Sequence, residues 1–163
     1  MDRRLVYEDQ AGYLRIIVPN AKYQQPTESA SEALGRLVAG HLPDVTIFIV
    51  CRPSEVPSDL TFRDAWYLGT VEEPIKIDFN KSIAIHRNRL KQACDKKIQE
   101  LTKQMALAFE KSNLPEAVAI GRTTQILRTM HEMDLSHCKN VQDIKFSIPR
   151  ELFDVWDFYN PIP

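Results

Sequence analysis

From Leu90 to Phe109 the chain sets apolar side chains at Leu90, Cys94, Ile98, Leu101, Met105 and Phe109. Steps of three and four residues keep these side chains on one face of a helix for about five turns. A stripe of that length needs a cover, and the next segment is the natural one. In "SNLPEAVAIGRTTQILRTMHEM", Ser112 or Asn113 stands at the cap and Pro115 falls in the first turn, while Ile120, Leu127 and Met130 face one way. Two helices separated by so short a break are expected to fold back as an antiparallel hairpin, the first running from Ile83 to about Ser112.

The half before the hairpin carries strand signals. "YLRIIVPN", Tyr13 to Asn20, is β-branched and aromatic and ends at a turn signal. Thr27 is the expected N-cap of a helix carrying Ala30, Leu34, Leu37 and Val38, which ends near Gly40. "VTIFIVCR", Val45 to Arg52, is an apolar run of strand length and is expected to be buried on both faces. After the loop "PSEVPSD", Ser58 and Asp59 are placed to cap a short helix with Phe62, Ala65 and Trp66 on its inner face and Arg63 and Asp64 outward. "IKIDF" alternates as a strand with Ile75, Ile77 and Phe79 on one side, and Asn80 or Ser82 is placed to cap the first long helix.

These readings give an α+β chain. A small N-terminal strand-helix-strand unit with its linker helix, residues 1–74, precedes a helical hairpin with an aromatic C-terminal segment, residues 75–163. At 163 residues the chain can bury roughly two-thirds of its unfolded surface, enough for a core without staples. The net charge of −1 gives no global argument for a nucleic-acid or a strongly basic partner. Cys51, Cys94 and Cys138, an odd number far apart, suit a reducing compartment better than a disulfide framework. The longest unbroken apolar run, Ile47 to Cys51, is too short to span a membrane, and the first ten residues lack a signal-peptide core.

Catalytic signatures are missing from the sequence. "HEMDLSHC" gathers His131, Glu132, Asp134, His137 and Cys138, but the residue four after His131 is Leu135, so the zinc-protease spacing fails. A solvated helix end with a buried cysteine is the simpler reading. Cys51 and Cys94 sit in apolar patterns and read as core residues, and "LGRLVAG" lacks the lysine of a phosphate loop. No cofactor and no enzymatic activity are expected. One charge bias stands out: Lys81, Arg87, Arg89, Lys91, Lys96, Lys97 and Lys103 against Asp95 and Glu100. Cations early in a helix oppose its dipole and hint at a partner, protein sooner than nucleic acid.

The stretch Pro57, Ser58, Asp59, Phe62, Arg63, Ala65 and Trp66, with Asp78, Lys81, His86 and Arg87 after it, resembles a group of small proteins encoded among the tail genes of tailed bacteriophages. The resemblance covers residues 45–95 and, loosely, the C-terminus. Ser82 stands where the group usually has Ala, and Trp156 is followed by Asp157 where the group has Pro. The resemblance implies a virion structural protein or a tail fibre assembly protein that contacts other tail proteins, fibre or baseplate, or a second copy of itself. It further implies a location in the host cytoplasm during assembly or in the virion tail.

On this reading Phe153, Trp156, Phe158 and Tyr159, packed near the C-terminus, are the expected partner anchors, because interface energy concentrates in buried aromatics. Arg87 and Arg89 are the expected polar contacts, and Phe62, Arg63 and Trp66 have a structural part. The alternative is a nucleic-acid-binding module that uses the basic helix from Lys81 to Lys103.

Overall fold

The computed structural model describes residues 3–158 except 21, 23, 24, 26 and 43. The chain divides into two compact units, Met1–Asp78 and Phe79–Pro163. The first unit thus takes in the IKI strand, which the sequence pattern alone places with the second half.

The first unit is built on a strand with little sequence pattern of its own. β1 (Arg4–Glu8) lies at the centre of an antiparallel sheet between β2 (Leu14–Ile17) and β3 (Phe48–Cys51). Leu5 pairs with Ile17 on one side and Val50 on the other. The turn from β1 to β2 is fixed by Asp9. Its carboxylate accepts the backbone N–H groups of Ala11 and Tyr13 at 3.0 and 2.9 Å, and Gly12 takes φ +77°, a conformation open to glycine. The Tyr13 N–H, helped by the Arg15 guanidinium, holds the Asp9 carboxyl below its ordinary range.

Successive residues of a strand point to opposite faces, so β1 serves two cores at once. Leu5 packs with Leu34 and Val38 of α1 (Ala30–His41), and Val6 packs with Cys51, Trp66 and Ile75. Trp66 and Ile75 belong to a second hairpin, β4 (Trp66–Leu68) with β5 (Ile75–Ile77), paired Trp66↔Ile77.

Several sequence expectations shift. The N-cap of α1 is Ser29, not Thr27. Its hydroxyl accepts the Glu32 N–H at 3.2 Å while the Glu32 carboxylate accepts the Ser29 N–H at 2.7 Å, a reciprocal box that Thr27 lies too far upstream to make. The strand expected over Val45 to Arg52 is shorter and, as an edge strand, is buried on one face only: Ile49 and Cys51 are inside, Phe48 is exposed. The expected short helix after Ser58 is a single 3-10 turn, Arg63–Ala65, that runs straight into β4. Asp59 caps the preceding turn instead, accepting the Thr61 N–H at 2.9 Å. Phe62, Ala65 and Trp66 are buried, and Arg63 and Asp64 are exposed.

The second unit is the helical hairpin. α2 (Phe79–Glu110) starts earlier than expected, so Asn80 and Ser82 lie inside it and Ser82 is fully buried. α3 (Leu114–Met130) is capped by Asn113 and carries Pro115 in its first turn. Leu90, Ala93, Cys94 and Leu101 of α2 share a core with Ile120 and Leu127 of α3, with Ile98 and Met105 packed against it. The stripe ends on Ala108, which is buried, while its neighbour Phe109 is exposed.

The remaining face of the core is closed by the C-terminal segment. α4 (Val141–Phe146) is capped by an Asn140–Asp143 box, and the chain then turns at Pro149 into a 3-10 turn, Arg150–Leu152. Ile148, Leu152, Val155 and Trp156 complete the hairpin core.

Candidate functional site

Three places in the second unit bring functional residue types together. The first lies where α4 meets α2. His86, fully buried, has its Nε2 3.0 Å from the Ser147 carbonyl. A carbonyl oxygen only accepts, so Nε2 carries the proton and donates it. Burial depresses the His86 pKa; the bond to Ser147 opposes that shift and the nearby Arg89 charge adds to it. The Ser147 hydroxyl donates to the Asp143 carbonyl at 2.8 Å, so at its 3.3 Å contact with Cys138 Sγ the thiol is the donor. His137 Nε2 stands 3.4 Å from Ser147 Oγ and 3.7 Å from Cys138 Sγ.

An open cleft of about 480 Å³ adjoins this cluster, lined by Phe79, Asn80, Ile83, Arg87, Asp134 and Cys138 among others. The cluster commits the Ser147 proton to one backbone carbonyl and the His86 Nε2–H to another. It acts as a polar joint that ties the C-terminal segment to α2. Among the described residues no group of three or more His, Cys, Asp and Glu is placed to hold a metal ion.

The second place is the aromatic C-terminus. Trp156 is 8% exposed and lies in the hairpin core, against the buried imidazole of His86 and the ring of Phe158. It is thus a core residue of its own chain. Phe158 packs against the same core, its ring 5.9 Å from the Arg89 guanidinium, and Phe153 is partly exposed. Tyr159 lies outside the described residues. Lys96 reaches Asp157 at 3.1 Å and Lys97 pairs with Asp154. Two cations of the basic helix, Lys96 and Lys97, therefore hold the terminal segment of the same chain. Arg87 is exposed at the cleft near Asp134, whose carboxyl is lowered chiefly by the Ser136 N–H and hydroxyl, with small contributions from His137 and Arg87.

The third place has no motif in the sequence. Near the hairpin tip Ala108 of α2 and Ala117 of α3 are buried. Phe109 and Val118 each follow their buried alanine by one residue, about 100° around the helix. In an antiparallel pair equivalent flanks are neighbours, so both lie on one side of the tip together with Leu114. Phe109 is 54% exposed, Leu114 60% and Val118 55%. A periodicity count assigns Phe109 to the inner stripe because 105 and 109 are four apart; the small residue at 108 is the signal that such a count misses.

Phe62 and Trp66 are buried in the first unit, and Arg63 lines a cleft there with Trp66. No helix among the described residues is long and apolar enough to cross a membrane. No family model, curated protein or solved structure matches this chain.

Proposed function

We propose that the chain is a non-enzymatic bacteriophage tail protein, structural or assembling, that works through protein–protein contacts with tail, fibre or baseplate components. The resemblance at Pro57–Trp66 and Asp78–Arg87 supplies the phage context. The physical support is the tip of the hairpin, where Phe109, Leu114 and Val118 form an apolar flank that the chain leaves in water. Contiguous apolar surface of this kind marks contact sites.

Of the C-terminal aromatics, Trp156 and Phe158 pack on their own chain, and the contact surface in this reading is the hairpin tip. The nucleic-acid alternative is weakened by the same geometry, since Lys96 and Lys97 are already paired within the chain. The test is to introduce Phe109→Ser and Val118→Glu together into the gene in its phage and to image the progeny. Defective tails, with the variant still helical and soluble, is the expected outcome. Normal, fully infectious particles would overturn the reading.

A further inference from the structure

The sheet of the first unit has β2 at one edge and β3 at the other. Edge strands of monomeric proteins are commonly guarded by charged side chains or proline, which keep a further strand from adding to them. β2 has such guards: it carries Arg15 and is followed closely by Pro19. The run that contains β3, "VTIFIVC" at residues 45–51, has neither a charge nor a proline. Ile47 is 69% exposed and Phe48 37%, so this edge also leaves apolar side chains in water. In an antiparallel ladder every second residue of an edge strand turns its N–H and C=O away from its partner. Among the described residues, none from 46 to 51 makes a backbone hydrogen bond outside the ladder to β1. The outward groups of β3 are therefore open to another strand.

The sequence around this edge selects which strand fits. Asp44 and Arg52, of opposite charge, bracket the apolar run at equal distances from Phe48. When two copies of β3 pair antiparallel about a two-fold axis at Phe48, Ile47 stands opposite Ile49, Thr46 opposite Val50, Val45 opposite Cys51 and Asp44 opposite Arg52. Apolar side chains then meet apolar side chains along the middle, and opposite charges meet at both ends. Moving the axis by one residue, to Ile47 or Ile49, leaves both charges without an opposite. The faces agree as well. Val50 packs on the side of the sheet that α1 covers and Cys51 on the other, and a two-fold axis normal to the sheet keeps each side of one copy in line with the same side of the next.

We propose that the chain forms a two-fold dimer through β3, joining two sheets into one continuous sheet, with Phe48 at the axis and Asp44 of each copy opposite Arg52 of the other. The surface is separate from the hairpin tip and does not rest on the function proposed above. It gives the exposed Ile47 and Phe48 a role that folding of the single chain leaves unexplained.

The test is sedimentation of the full chain over a wide range of concentrations, where a monomer–dimer equilibrium is expected. Ile47→Lys puts a guarding charge at an exposed edge position. It should keep the circular dichroism of the parent and weaken the dimer about tenfold or more. Asp44→Arg alone and Arg52→Asp alone each set like charges opposite one another at both ends and should weaken the dimer about threefold or more. The two changes together return opposite charges to both ends and should restore most of the affinity. If Ile47→Lys loses the parent spectrum, this charge cycle decides by itself. The Phe109→Ser, Val118→Glu variant, altered only at the hairpin tip, should dimerise as the parent does. A chain that stays monomeric at every concentration would overturn the proposal. So would a dimer that a well-folded Ile47→Lys leaves intact, a dimer that the tip variant abolishes, or single charge changes that have no effect or that the double change does not rescue.

Discussion

The indole of Trp156 lies 5.7 Å from the imidazole of His86, ring centre to ring centre, with the planes tilted by 51°. The two residues are far apart in the chain, so this contact fastens the C-terminal segment to the first turns of α2. It also keeps His86 out of water, which disfavours its charged form and lowers its pKa from the ordinary 6.5. The unfolded chain takes up a proton at His86 near pH 6.5, and the folded chain does so only at lower pH. Stability from this group is therefore complete above about pH 6.5 and is lost as pH falls toward the depressed folded value. Urea unfolding at about pH 7.5 and about pH 5.5 should show a lower midpoint at the acid pH. His86→Gln keeps a donor for Ser147 and removes the titration, so its two midpoints should lie closer together. An unchanged difference in the variant would exclude His86 as the cause.

If Trp156 is core and not a partner anchor, its removal acts on the isolated chain. Trp156→Ala should destabilise the protein by about 3–5 kcal/mol, the usual cost of deleting a buried aromatic, and should raise dye binding at the uncovered hairpin core. Phe153→Ala, at a partly exposed position, should cost far less. Equal, small effects for both would mean the segment does not close this core in solution.

The hairpin is legible in the sequence because its signal is local. Leu90, Cys94, Leu101, Ile120 and Leu127 fall at helical spacing and are buried. β1 is not legible, since five residues with charges at both ends carry little pattern of their own. Its identity as the central strand comes from Leu5 and Val6 each finding a core on its own face, one under α1 and one under β4 and β5. The joint of His86 with Ser147 spans 61 residues and has no periodicity at all. Trp66 and Arg63 are visible as a motif. That the buried Trp66 indole N–H finds no partner among the described residues is not, because satisfaction of a donor is a property of packing.

The start of α1 offers a direct test of local pattern against structure. Ser29 makes both bonds of its capping box with Glu32, and Thr27 takes no part in it. Ser29→Ala should cost about 1 kcal/mol in equilibrium unfolding, and Thr27→Ala should fall within error of the parent. Reversed effects would return the cap to Thr27.

The turn between the two long helices stores strain at Ser112, which adopts φ 55° without being glycine. Asn113 N–H bonds the Ala108 carbonyl at 2.8 Å and Ser112 N–H bonds the Phe109 carbonyl at 2.9 Å, the paired closure of a helix that ends in a left-handed residue. Glycine is the residue this position favours, since a Cβ in the left-handed region meets the backbone. Ser112→Gly should therefore raise stability by up to about 1 kcal/mol after its larger loss of chain entropy is set against the relieved strain. Ser112→Val, β-branched in the same conformation, should lower stability by more than that gain. Because Asn113 ends α2 and caps α3 at once, the midpoint of helix unfolding should track both changes in the same order. A glycine variant less stable than the parent would show that the Ser112 side chain, and not the left-handed backbone, governs this turn.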